Sequence, residues 1–189
     1  IPAWLDRLGV DVVGVSWVGD TLDAHVDALD ECTDVDVVVT SGGTASGPVD
    51  YLRQALALTS GGLVVDTVAV RPGHPMLLGR WAGPRWLLGL PGNPQAAIAA
   101  LLTLGEPLVA ALHGQGVPVL GQRRLTESVT SRGNVTRLVL CASAGGEATP
   151  TEYIGSGMLR GLTTADGYAV VPPGGATLGD QVPWLALPS

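Results

Sequence analysis

"VVVTSGGTASGPVDYLRQAL" (Val37–Leu56) carries a β-branched apolar run into Thr40-Ser41-Gly42-Gly43. A loop of small residues follows, then Asp50 and a helical pattern. A continuous apolar run such as Val35–Thr40 is typical of a parallel strand buried on both faces. The passage from strand through glycines to helix is the joint of a βα unit, and its neighbours repeat the alternation. Upstream, Ile1–Gly9 reads as a helix ending on glycine, Asp11–Val18 as a short strand, and Gly19–Cys32 as an amphipathic helix capped by Asp20 or Thr21. Downstream, Val49–Thr59 reads as a helix, and Leu63–Val70 and Arg85–Leu90 as strands. Asn93–Gly114 is a long apolar helix, bent or broken near Gly105 and Pro107. The fold class is α/β, a three-layer, mostly parallel sheet with helices on both faces.

The alternation stops near Gly114. Arg123–Val129, Asn134–Ser143, Glu147–Tyr153, Gly167–Pro173 and Gln181–Leu187 are short strands between Gly, Pro and Thr turns. They predict a separate all-β module, a small barrel or sandwich. The predicted domains are an α/β domain over 1–114 and a β-domain over 118–189.

The formal net charge of −7 argues against a general nucleic-acid partner. All ten basic residues are Arg, so any anion site must use Arg, His or backbone amides. No apolar run reaches the roughly 18–20 residues that a membrane span needs. Cys32 and Cys141 are too few and too far apart for a disulfide framework or a metal knuckle, and a cytoplasmic setting is expected.

Three Gly-rich loops then compete for attention. "TSGGTASGPVD" (Thr40–Asp50) places glycine amides and a helix N-terminus at a strand end, where α/β sheets bind ligands. It has neither P-loop nor dinucleotide spacing. "RPGHP" (Arg71–Pro75) and "LPGNP" (Leu90–Pro94) are two Pro-Gly-x-Pro turns, each after a predicted strand. Each loop alone reads as a turn or cap, Asn93 capping the helix that Pro94 opens and Asp50 capping the one before it. Together they predict one shared pocket with Gly43, Pro72 and Pro91 on its walls. His25 and His113 lie in helical contexts without metal-ligand spacing, and no Ser/His/Asp or Cys/His arrangement is present.

These residues in this order resemble the molybdopterin molybdenumtransferase family, which includes the gephyrin E domain. "TSGGTASGPVDY" is similar to its GG-[VT]-S-x-G-x-x-D loop, "RPGHP" to its K-P-G-K-P, and "GLPGNPQAA" to its L-P-G-N-P. "YIGSGMLRGLTTADGYAVVP" resembles its C-terminal β-domain. The resemblance implies molybdate insertion into adenylated molybdopterin with release of AMP, Mg²⁺ as the accompanying cation, and a homodimer whose partner completes the site. It implies ligand contacts from Ser41, Gly42, Gly43, Thr44, Ser46, Arg71, Gly73, His74, Pro91, Gly92, Asn93, Pro94 and Ser156. Asp50 and Asp20 would be the catalytic acids, with Asp50 holding the metal. The family's opening G-D-E strand would precede Ile1, which suggests a fragment of a longer chain. A family Lys or Arg is replaced by Thr67, and a β-domain Arg by Ala142, so the cationic complement looks thin. Two alternatives follow: a non-catalytic pterin-binding scaffold, and a molybdopterin adenylyltransferase, against which the β-tail argues.

Overall fold

The computed structural model describes residues 1–45, 47, 50–81, 83–151 and 159–188 of the 189. The first half runs α1 (Pro2–Arg7), α2 (Leu22–Glu31), β1 (Val37–Ser41), α3 (Leu52–Leu58), β2 (Gly62–Val65), β3 (Val70–Arg71), β4 (Leu77–Trp81), β5 (Arg85–Leu90), α4 (Pro94–Ala100) and α5 (Glu106–Leu112). Its sheet has the order β1-β5-β4-β2. Residues alternate between two apolar faces. Val38, Leu77 and Leu87 meet Leu29, Leu52 and Leu56 of α2 and α3. Val39, Leu88 and Leu90 meet Leu5, Ala97, Leu101 and Leu108 on the opposite face.

The sheet is mixed and not mostly parallel. Only β1 and β5 run parallel, Val37 opposite Trp86 through Ser41 opposite Leu90, while β4 is antiparallel to both β5 and β2. The reason is a strand that the sequence reading passed over: "LLGRW" returns along β5 through a tight turn, and a tight turn joins only antiparallel strands. The predicted strand Leu63–Val70 is two strands in two sheets. The predicted strand Asp11–Val18 does not form. Val13, Val15 and Trp17 are exposed, and among the described residues β1 has a strand partner on one side only. Without a neighbour for its N–H and C=O groups, an extended run gains nothing from a ladder.

The long helix is continuous. A π-turn over Leu101–Gly105 absorbs the irregularity expected at Gly105 and Pro107, and Pro107 falls in the first turn of α5, where its missing N–H costs little. This helix, Pro94–Leu112, has the length and composition of a membrane span, contrary to the run-length expectation. Yet 61% of its apolar window is buried inside the fold.

The second half forms β6 (Gly121–Leu125), β7 (Thr136–Ala144), β8 (Glu147–Pro150), β9 (Gly167–Val171) and β10 (Gln181–Ala186), with a 3-10 turn over Leu159–Thr163. The order β7-β8-β6-β10-β9 closes on itself through a β7–β9 pairing, so the module is a five-stranded barrel. Strand period two divides β7: Val139 and Cys141 point into the barrel core, and Leu138 and Leu140 join the helix-side cluster with Tyr168 and Leu185. β3 adds to this sheet in parallel, with Val70 opposite Thr136 and Arg71 opposite Arg137. The α/β half therefore contributes a strand to the barrel sheet.

Closure leaves no room at Gly167, which pairs with Ala186 on one side and Cys141 on the other. A Cβ there would collide with the Leu185 carbonyl and the Trp184 ring. Gly167→Ala should cost about 1–3 kcal/mol in urea unfolding, the range for overpacking. Burial pushes the Cys141 thiol up to about 11 from an ordinary 9.0. Folding thus favours its protonated form, and this contribution is complete below pH 9 and lost as pH rises towards 11. Unfolding of the wild type should show that alkaline loss, and Cys141→Val should remove it.

Candidate functional site

The loop after β1 turns on two glycines with left-handed backbone, Gly42 at φ 104° and Gly43 at φ 68°, a region that side chains disfavour. Most of its amides are already committed. Gly42 N donates to Leu90 O at 2.9 Å. Asp50 accepts from Ala45 N at 3.3 Å and from Gly47 N at 2.8 Å. Asp50 therefore closes the loop and is not the helix cap: the cap residue of α3 is Tyr51, without a side-chain bond. Arg53 fixes the loop from outside. Its Nη1 donates to Thr44 O at 2.5 Å and Ala45 O at 3.0 Å, and its Nε pairs with Asp66 Oδ1 at 2.6 Å. Of the expected amide cradle, Gly43 and Thr44 keep amides with no hydrogen-bond partner among the described residues, and Thr44 itself is buried. Ser41 ends β1, exposed, in register with Leu90.

His25 reaches this loop, which its helical context in the sequence did not signal. Its Nδ1 lies 2.7 Å from Thr21 O, so Nδ1 carries the proton. Its Nε2 sits 3.4 Å from where a Cβ on Gly43 would be. Thr21, not Asp20, caps α2, accepting from Ala24 N at 3.2 Å. Asp20 is exposed beside it, with no side-chain hydrogen bond among the described residues.

The other two loops flank a cleft of about 830 Å³ between the start of α4 and the barrel. That volume suits a small-molecule ligand. Gly73, at φ 110°, brings the RPGHP turn against α4: a Cβ there would meet Met76 Cε at 2.6 Å and Ala96 O at 3.6 Å. His74 Nδ1 lies 2.8 Å from Val68 O, so it donates to that carbonyl, and its ring lines the cleft beside Arg71, Pro72 and Gly73. In LPGNP, Asn93 caps α4 by accepting from Ala96 N at 3.1 Å, and Pro94 takes the first turn. Pro91 and Asn93 line the cleft. Gly92 lies instead against the glycine loop, a Cβ there standing 3.6 Å from Gly42 Cα. The structure thus brings Pro72 and Pro91 to one cleft, while Gly43 adjoins it through LPGNP and is not in its wall. Ser46 and Ser156 lie outside the described residues.

The barrel supplies what the sequence reading missed. Thr130, Ser131, Arg132, Arg137 and Thr151 form the opposite wall, and Gln95 stands on the α4 side. Ala142, where an Arg seemed to be lost, pairs with Thr149 on the barrel and is not in the lining. Arg71 and Arg137 are register partners, Arg132 is close in the chain, and among the described residues no carboxylate lines the cleft. None of these three arginines forms an ion pair among the described residues. Three arginines thus line the cleft, and the β3–β7 pairing that sets two of them side by side is not visible in the sequence.

Magnesium asks for near-octahedral oxygen ligands. The loop offers Asp50, which accepts two amides, and Asp66, which follows β2, is paired with Arg53. No group of three metal-binding side chains occurs among the described residues. These residues do not make a magnesium site.

Residues 1–111 match the family profile described as a probable molybdopterin binding domain, and residues 122–187 match the C-terminal region, domain IV, of MoeA. The chain belongs to the molybdopterin-binding domain family. It is 27% identical over 181 residues to the molybdopterin molybdenumtransferase of Staphylococcus aureus strain Mu50, covering 92% of this chain and 43% of that protein. The Haemophilus influenzae molybdopterin molybdenumtransferase is 38% identical over 80 residues, 42% of this chain and 19% of the relative. The crystal structure of a molybdopterin biosynthesis MoeA protein from Pyrococcus horikosii superposes with a TM-score of 0.71 at 25% identity, over 91% of this chain and 42% of that one. The chain thus spans less than half the length of these relatives.

Because Asp50 closes the loop, Asp50→Ala should free the amides of Ala45 and Gly47. Their hydrogen exchange should quicken, with about 1–2 kcal/mol lost from global stability, as for charge-assisted bonds near the surface. Unchanged exchange at both amides would show that the loop holds its shape without this carboxylate.

Proposed function

We propose that this chain forms the ligand-binding half of a molybdopterin molybdenumtransferase, and that the cleft between α4 and the barrel holds the anionic parts of its substrates. One observation carries the reading: Arg71 and Arg137 stand side by side in the β3–β7 register, facing a cleft that no carboxylate lines among the described residues. Like charges set opposite each other on a sheet are unfavourable unless an anion lies between them. Arginine forks match tetrahedral oxyanions with paired hydrogen bonds. Molybdate and the phosphates of adenylated molybdopterin are such anions, in a chain that is otherwise net acidic.

In this reading Arg71, Arg137 and Arg132 position molybdate and phosphate, with His74 at the rim adding charge when protonated. The Gly42–Gly43 loop, which adjoins the cleft through LPGNP, is assigned together with Asp20 to the adenylate, whose release as AMP accompanies insertion of the metal oxyanion. A homodimer and a cytoplasmic setting belong to the same proposal. A non-catalytic pterin-binding role is the second reading, favoured because Asp50 is committed to loop closure. Molybdate-dependent AMP release by the complete protein supports the enzyme, and pterin binding without AMP release supports the scaffold.

Calorimetric titration with molybdate at low salt tests the cleft. Arg71→Ala and Arg137→Ala should each weaken binding about tenfold or more, roughly 1.4 kcal/mol. Arg124→Ala, on a residue paired with Glu147 at 2.7 Å on the surface, should not. Equal affinity in all four proteins would place the anion elsewhere.

A further inference from the structure

On the inner wall of the cleft and just behind it lie polar atoms that have no hydrogen-bond partner among the described residues. Gln95, in the first turn of α4, is 4% exposed, and its Oε1 has no hydrogen-bond partner. Tyr168 of β9 is fully buried with its hydroxyl unpartnered, and Thr151 Oγ1 is a third such atom. They are neighbours: Thr151 N donates to Leu140 O at 2.9 Å, and Leu140 is the register partner of Tyr168. The Gln95 carboxamide lies near enough to the Tyr168 hydroxyl to act on it, yet the two do not meet in a well-formed hydrogen bond. Turning the amide over would exchange which of its ends faces the tyrosine and still leave the other end unpaired.

Native interiors pair nearly all their buried polar groups, so three adjacent exceptions on one wall call for a reason. Gln95 and Thr151 both line the cleft. All three groups are uncharged, whereas the arginine side of the same cleft is cationic. Burial drives the Tyr168 phenol far above its usual value, so its hydroxyl stays neutral. A carboxamide offers a donor and an acceptor side by side, the complement of a lactam N–H and C=O.

We propose that Gln95 and Thr151, with Tyr168 behind them, form a subsite for the uncharged 2-amino-4-oxo edge of a pterin ring, while the arginine side takes the anion. The assignment rests on the pterin reading above. It makes Gln95 a specificity-determining residue, with the cleft divided into a neutral inner wall and a charged rim.

The test titrates 6-hydroxymethylpterin and molybdate separately into the full chain and into Gln95→Leu, with thermal unfolding of both. Pterin affinity should fall at least tenfold in Gln95→Leu, molybdate affinity should stay within about twofold, and the melting temperature should not drop, because an unpaired buried amide has been removed. Should Gln95→Leu fail to fold, Thr151→Val, which deletes one orphaned oxygen at nearly constant shape, should show the same selective loss. Unchanged pterin affinity in the variant overturns the inference, all the more so with a lowered melting temperature, since Gln95 would then only knit α4 to the barrel. A wild-type chain that binds molybdate but no pterin also overturns it and leaves the anion cleft standing. Loss of molybdate affinity in Arg71→Ala beside normal pterin binding in Gln95→Leu separates the two proposals.

Discussion

Two residues, Val70 and Arg71, leave the α/β half and run along β7 of the barrel. Much of the rest depends on that short crossing. It anchors the RPGHP turn at the seam, sets Arg71 opposite Arg137, and draws Leu138, Leu140, Tyr168 and Leu185 onto the same apolar cluster as α4 and α5. A fully buried Leu stabilises by roughly 1.5–3 kcal/mol. Several such residues on the shared face make the seam a continuous core, whose polar opening is the cleft.

The glycine loop follows a different logic. Its left-handed residues and its Asp50 and Arg53 contacts give it a fixed shape that the chain itself maintains. Amides that look bare in the sequence are largely spent on that shape. The arginines of the cleft lie one loop away, on β3 and on the barrel.

What was legible in the sequence was local. The barrel strands declared themselves as short runs between Gly, Pro and Thr turns, and Asn93 followed by Pro94 announced the start of α4. Non-local choices were hidden. Nothing in "LVVDTVAV" says that the chain changes sheets at Asp66–Ala69, or that "LLGRW" hairpins onto β5 and makes the sheet mixed. Asp50 was misread because a carboxylate before a helix has two uses, capping the helix or binding the loop behind it, and only geometry decides between them. Arg132 and Arg137 were missed because their value comes from facing Arg71 across a strand pairing separated by more than sixty residues.

The π-turn at Leu101–Gly105 sets the phase of the molecule's longest helix. An α-helix advances roughly 100° per residue, so one residue held in a wider turn rotates everything beyond it by about that angle. Leu108, Val109 and Ala110 face the interior only because of this rotation. Deleting one residue between positions 101 and 105 would remove the residue that the wide turn absorbs, and the segment would close as a regular α-helix with the same side of α5 turned inward. The wide turn is therefore the place in this helix where a one-residue deletion keeps the apolar side of α5 inward, whereas the same deletion within α4 would turn it by about 100°.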